Sequence, residues 1–461
     1  MGATTQHGTG TRVREDGTRW DLVAVGAAVV LVVGAIVVGV AIERDHGTLF
    51  VAWPPLFARW DPHVGPGTPA ALAVAAATVA YGPGLAARLP WRALLGLAWA
   101  TAMAWTWSLA LVDGWQRGVA GRLAKHDEYL PTIDRFHDIG ATLRDFTHHI
   151  LSGSPDHWPT HVAGHPPAAI LTFVGLDRVG LGGGGWAAAW VITTGTSAVL
   201  AVLVTVRALA GEATARRAAP FLALAPLAVW VGVSADGCFT GVAAWSVALL
   251  TLAATRRVRA PWAAAFGAGL LFGLSAYLSY GLILFVVILA AVLALTRTLR
   301  PVPWLLLGTA LVTVAFTLAG FDWWEAYRLL VDRYHEGVGG IRPQSYWIWA
   351  NLACQVFAVG LATVAGLRRA GARTPPTVAR LRRGRDRTPD RLIGLLAVVA
   401  VALLAADVSG MSKAETERIW LPFTVWLLAA TALLPARTRR GWLAAQAVLA
   451  LLVNHLLLTG W

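Results

Sequence analysis

DLVAVGAAVVLVVGAIVVGVAI, residues 21–42, has one acid at its first position and no other charge. Twenty apolar residues in a helix rise about 30 Å, the hydrocarbon thickness of a bilayer, so this run predicts a transmembrane helix. It is too long for the apolar core of a signal peptide, and no small-residue cleavage site follows it. A retained first helix with its N-terminus on the cytoplasmic side is the expectation.

Runs of the same kind recur near 68–87, 92–112, 186–206, 218–234, 238–255, 262–279, 281–296, 302–320, 346–367, 392–407, 418–435 and 441–460. Together they predict one all-α polytopic membrane domain over residues 1–461 with about thirteen transmembrane helices, as 57% hydrophobic and 14% charged residues require. Threading the spans from a cytoplasmic start places Arg207, Arg216, Arg217, Arg256, Arg257, Arg259, Arg297, Arg300, Arg437, Arg439 and Arg440 on one face. The Arg-rich loop 368–391, expected to be a solvated cytoplasmic linker, joins them, in agreement with the positive-inside rule. The net charge of +13 is thus a sign of topology and inner-leaflet contact, and nucleic acid is excluded as the partner it implies. The two cysteines, Cys238 and Cys354, lie in apolar runs and predict packing, with no disulfide framework.

Residues 166–185 are too short and too glycine-rich at LGGGGW to thread as a span. They predict a helix that dips in from the outer side and returns, which a bilayer tolerates where protein or a wet cavity lines it. The preceding loop, 113–165, is the longest between spans. In it Ile133, Phe136, Ile139, Leu143, Phe146 and Ile150 have the three-and-four spacing of an interfacial amphipathic helix, with Thr132 as N-cap and Gly153 as stop. A second extracytoplasmic loop, 321–345, opens with FDWWEAYRLLVDRYHEGVGG and predicts another interfacial helix.

Four polar constellations fall on the expected outer face. KHDEYL (125–130) places Asp127 beside Glu128, and two neighbouring carboxylates can split their pKa values so that one serves as a base or cation ligand. In HVAGHPP (161–167), His161 and His165 are four apart, but Gly164 and Pro166 argue against one continuous zinc-binding helix; Pro166 and Pro167 fit a helix first turn, whose N–H groups suit a phosphate. SKAETERIWLPF (412–423) opens a span with Lys413, Glu415, Glu417 and Arg418, and Lys413 and Lys125 are the only lysines. SADG (234–237) sets Asp236 between two spans, where a turn and a ligand are equally good readings.

These features in this order resemble the GT-C superfamily of integral-membrane glycosyltransferases, whose branches include the protein O-mannosyltransferases and the lipid A aminoarabinose transferases. Asp127-Glu128, His165-Pro166-Pro167 and Glu415-Thr416-Glu417-Arg418 carry the match. The resemblance implies transfer of a sugar from a polyprenyl-phosphate donor to a glycan, lipid or protein acceptor on the extracytoplasmic face of the cell membrane, with inversion. It implies Asp127 as general base, Glu128 as the residue that positions the acceptor or a cation, and His165, Lys413 and Arg418 around the donor phosphate. His126, His161, Asp236, His335 and Glu417 are weaker substrate-binding candidates. The resemblance fixes no cofactor, and a divalent cation is left open. The chain departs from the pattern in having three predicted spans before the acidic pair and His in place of Lys before Pro-Pro.

Three other classes fit the same composition, one of them a purely structural membrane scaffold, which would tolerate alanine at Asp127, His165 and Arg418 alike. A secondary transporter would need ionisable groups near the bilayer midplane and would survive loss of Asp127, whereas the charges here cluster at one edge. An outer-face ligase or phosphatase acting on a lipid carrier would use an Arg/His site with no obligatory carboxylate base.

Overall fold

In an apolar medium every backbone N–H and C=O must be satisfied within the segment, so uncharged runs of Ala, Val and Leu close into helices. The computed structural model describes residues 9–385 and 387–460. Seven helices among them are long and apolar enough to cross a membrane: Gly17–His46, Thr68–Arg88, Trp91–Asp113, Gly184–Ala210, Ala235–Ala254, Pro261–Leu278 and Asp390–Val408. Three bent pairs raise the number to at most ten, with angles of 76°, 112° and 114° at their breaks. The protein is an all-α polytopic membrane protein.

The threaded count of about thirteen differs from this because apolar runs do not guarantee unbroken helices. Run 218–234 splits into Glu212–Ala223 and the single turn Ala228–Val231, since Pro226 lacks an N–H and pushes Ala225 out of the helical region. Run 346–367 breaks at Gly360, whose φ of 79° lies in the left-handed region. Runs 418–435 and 441–460 form one strongly bent pair. Segment 166–185 contains the 11-residue helix Ala168–Arg178, about 16 Å long and too short to cross.

The Arg-rich stretch is more ordered than a linker. Thr374–Arg382 is helical, Arg369 Nε donates to Asp21 Oδ2 at 2.8 Å, and Arg380 Nε donates to Asp390 Oδ2 at 2.7 Å. The far end of the bundle carries loop 113–165.

Helices Gly184–Ala210 and Ala235–Ala254 are held together by small residues, as helices in lipid are. A Cβ on Gly241 would lie 2.2 Å from the Thr194 carbonyl oxygen. Gly241→Ala is therefore expected to part the two helices at a cost of about 1–3 kcal/mol, measured as a lower unfolding temperature in detergent. The contact matters for the site because Asp236 sits in the first turn of the second helix.

Loop 113–165 does not form the single predicted helix. It folds as a 3-10 segment Leu130–Phe136, a helix Ile139–Asp145 and a 3-10 turn Phe146–His149. Asp138, absent from the predicted capping scheme, accepts the Ala141 N–H at 2.9 Å, while the Thr132 hydroxyl turns back to the Tyr129 carbonyl. Phe136, Leu143, Phe146 and Ile150 are buried, so the apolar stripe faces protein. Residues Trp323–Glu336 do form a helix, capped by Asp322, and its Arg333 guanidinium donates to the carbonyls of Ile150 and Trp158. A short antiparallel pair joins Ala58–Trp60 to Leu457–Thr459.

Candidate functional site

At the loop end three segments far apart in sequence meet: residues 125–130, 161–167 and 415–418. Asp236 joins them from the head of its helix. Arg418 is at the centre, its side chain 3% exposed. One guanidinium nitrogen donates to Asp236 Oδ2 at 2.7 Å. The other donates to Glu415 Oε2 at 3.3 Å and faces His161 Nε2 at 3.4 Å.

These partners fix the histidine tautomers. A carbonyl only accepts, so His161 Nδ1–H donates to the Asp127 carbonyl at 3.0 Å and leaves the Nε2 lone pair toward Arg418. Glu128 Oε1 lies 3.4 Å from that same Nδ1. His165 Nδ1–H donates to the His161 carbonyl at 2.8 Å, with the Tyr129 hydroxyl 3.0 Å away. Its ring packs on Phe239, and Tyr129 packs on Phe173. His165 Nε2 has no hydrogen-bond partner among the described residues.

Burial sets the protonation states. It pushes Glu128 up to about 8, against the pull of Arg418 and helped by Asp127. It holds His161 well below its ordinary value, with Arg418 acting the same way, and it lowers His165 as well. Burial alone would lower Arg418, but Asp236, Glu415 and Glu128 together overcome it and keep the guanidinium charged. The result is a fixed buried cation beside a carboxyl that exchanges protons near neutrality and two neutral imidazoles. Such a cluster can hold an anion and move a proton.

The segments are held by different means. Residues 160–164 make a short helix, and His165 is extended ahead of Ala168–Arg178, with Pro167 at the cap instead of inside the first turn. Asn351 Nδ2 donates to the Ser412 carbonyl and Gln355 Nε2 to the Thr416 carbonyl, both at 2.8 Å, which pins the chain on either side of Glu415. On the other wall, Arg122 donates to the Thr459 carbonyl and pairs with Asp113 at 2.8 Å.

Of the residues singled out in the sequence, Glu128, His161, His165, Asp236 and Arg418 come together. Asp127 stands at the rim, its side chain 32% exposed, with its main chain against His161. His126 is fully outside at 97% exposure. Lys413 points away and donates to the Gly339 carbonyl at 2.9 Å. His335 is on the exposed side of Trp323–Glu336 and bonds the Val331 carbonyl. Glu417 faces the opposite way from Arg418 and accepts the Phe57 N–H at 3.2 Å, as successive residues of a helical turn diverge. Among His, Cys, Asp and Glu of the described residues, no group of three is placed to hold a metal ion. Sequence reasoning missed Tyr129, although it adjoins the acidic pair, and Arg342, whose guanidinium lies 3.6 Å from Glu415.

Glu417 gives a pH test outside the cluster. Burial raises its carboxyl to about 7, so the folded state holds this proton more tightly than the unfolded chain. Its contribution to stability is complete below about pH 4.5 and is lost as the pH rises through about 7. Relative to wild type, Glu417→Gln should remove a fall in stability of up to about 1.4 kcal/mol per pH unit in that window. His161 and His165 act oppositely in acid, but they are common to both proteins and cancel in the difference. Unfolding measured from pH 5 to 8 checks this, and parallel curves would refute it.

No protein-family model matches the chain, and no curated protein matches it in sequence. In three dimensions it is similar to ArnT from Cupriavidus metallidurans in the apo state, at 16% identity and a TM-score of 0.39, over 65% of this chain and 56% of that one. It is also similar to the Archaeoglobus fulgidus oligosaccharyltransferase in the apo form, at 14% identity and a TM-score of 0.47, over 79% and 56%. The same enzyme with zinc and sulfate gives 15% identity and a TM-score of 0.44, over 78% and 51%. Both are GT-C glycosyltransferases, the superfamily that the sequence resembles. The chain spans about half the length of these solved structures. Likenesses this distant carry no argument about activity, which has to come from the site.

Proposed function

We propose that the protein is a membrane glycosyltransferase that moves a sugar from a polyprenyl-phosphate donor to a hydroxyl of a glycan, lipid or protein acceptor. One observation carries the reading: Arg418, buried and charged, is enclosed by Asp236, His161 and Glu415 beside the Asp127-Glu128 pair. Displacing a phosphate from an anomeric carbon needs a cationic group where charge develops on the leaving oxygen and a base where the acceptor loses its proton. The cluster offers both within one loop end.

In this reaction the acceptor oxygen attacks the anomeric carbon, and its proton passes to the Asp127 carboxylate. The carbon–oxygen bond to phosphate breaks with inversion, and the polyprenyl phosphate leaves with the bonding pair. Arg418 holds the phosphate, and a negative group arriving beside His165 would draw that imidazole back toward its charged form. Glu128, with its proton, donates a hydrogen bond to the acceptor. The site lies on the extracytoplasmic face of the cell membrane in this reading, because the arginine clusters mark the opposite end as cytoplasmic.

The test is transfer of radiolabelled sugar by the purified protein from a panel of polyprenyl-phosphate sugars to a membrane extract. Transfer from at least one donor is expected. Binding of the lipids with no transfer from any donor would favour a carrier hydrolase or ligase, and neither binding nor transfer would return the transporter reading.

A further inference from the structure

Both terminal nitrogens of Arg418 already face partners, Asp236 on one side and Glu415 with His161 on the other, so a phosphate that approaches them meets a carboxylate already in place. The two carboxylate partners are unequal. The Asp236 contact is 2.7 Å, both side chains are 3% exposed, and Asp236 is on a helix locked by the Gly241 contact. The Glu415 contact is 3.3 Å, and the Glu415 side chain is 19% exposed.

Glu415 also reaches the second, unanticipated cation. Its Oε1 lies 3.6 Å from Arg342, whose guanidinium is fixed by donation to the carbonyls of Leu49 at 2.9 Å and Lys413 at 2.7 Å. One carboxylate thus bridges two buried arginines. The backbone that presents it is unusual: Ala414 and Glu415, neither of them glycine, have φ values of 70° and 61°. Two consecutive side-chain-bearing residues in the left-handed region persist only where their surroundings hold them there. The carbonyls of Ser412, Lys413, Glu415 and Thr416 are all pinned, so the part that can turn away from the arginines is the Glu415 side chain, which is 19% exposed.

We propose that Glu415 is the resting occupant of an anion site between Arg342 and Arg418, and that a ligand phosphate displaces it. The choice of ligand rests on the proposed transfer reaction; the site itself rests on the two arginines. The exchange replaces one anion by another, so neither guanidinium is left buried without a counter-charge, which would be costly. A phosphodiester donor brings one negative charge and the departing phosphomonoester up to two, so the product is held more firmly than the donor. Return of Glu415 to the arginines then helps to expel the spent carrier.

The experiment measures the affinity of the full-length protein in detergent for undecaprenyl phosphate and, separately, for inorganic phosphate. Removing the internal competitor should tighten binding, because a site occupied by its own side chain is available only a fraction of the time; Glu415→Gln is expected to gain about tenfold for both probes. Adding Arg342→Gln to that variant should erase the gain. Glu415→Asp, too short to bridge both arginines, should gain as well, and it serves if the glutamine variant does not fold. A folded Glu415→Gln or Glu415→Asp protein that binds neither probe more tightly than wild type overturns the proposal. Tighter inorganic phosphate with no binding of the lipid phosphate supports the anion site and removes the lipid-carrier reading.

Discussion

Arg418→Ala is expected to lower sugar transfer by about 10²–10³-fold or more, the usual loss when a fixed group facing developing negative charge is removed. It is also expected to cost about 3–5 kcal/mol of stability, since Asp236 would be left buried beside a void without its partner. The two losses separate in a double variant. Replacing both members by apolar residues closer to their own volumes, Arg418→Met with Asp236→Val, removes the uncompensated charge and should recover most of the stability with none of the transfer. Thermal unfolding and transfer assays on the single and double variants check this. If folded Arg418→Ala transfers sugar at the wild-type rate, the buried arginine is structural and the proposed leaving-group site is wrong.

Asp127→Asn should lower kcat by about 10²–10⁴-fold, the range for loss of a positioned general base. The fold should be untouched, because the Asp127 main chain holds His161 while its side chain stands at the rim. Affinity for the donor should also persist, since no phosphate-binding group is altered. The adjacent acid provides the control. Burial has raised Glu128 to about 8, so it already carries its proton at neutral pH, and Glu128→Gln should retain far more turnover than Asp127→Asn. The opposite ranking would move the base to Glu128 and would shift the acid limb of the pH–rate profile toward its raised pKa.

Patterns carried by many residues were legible in the sequence. The apolar runs set the fold class, and the residues flanking the acidic pair, the histidine pair and Arg418 were brought together as their chemistry suggested. Features that depend on one local competition were not. Asp138 captured a helix start assigned to Thr132 because its carboxylate bonds the backbone directly, and Pro226 and Gly360 broke runs that hydropathy alone reads as continuous. Glu417 and Lys413 show a different limit: they are neighbours of Arg418 in sequence, yet the turn of the chain directs one to Phe57 and the other to Gly339. The bridge from Arg342 through Glu415 spans more than seventy residues of chain and rests on two left-handed residues that no motif announces.

The small strand pair between Ala58–Trp60 and Leu457–Thr459 has a consequence for biogenesis. Arg122 grips the Thr459 carbonyl and Lys125 the Gly460 carbonyl, so the segment with the acidic pair is moored to residues made more than three hundred positions later. During synthesis the earlier helices can enter the membrane one by one, but the segment with the acidic pair lacks the moorings of Arg122 and Lys125 until the helix Arg439–Leu456 has been inserted. A ribosome stalled before residue 457 would therefore display integrated helices with this segment unmoored on one side, and its final ordering would come as a late step.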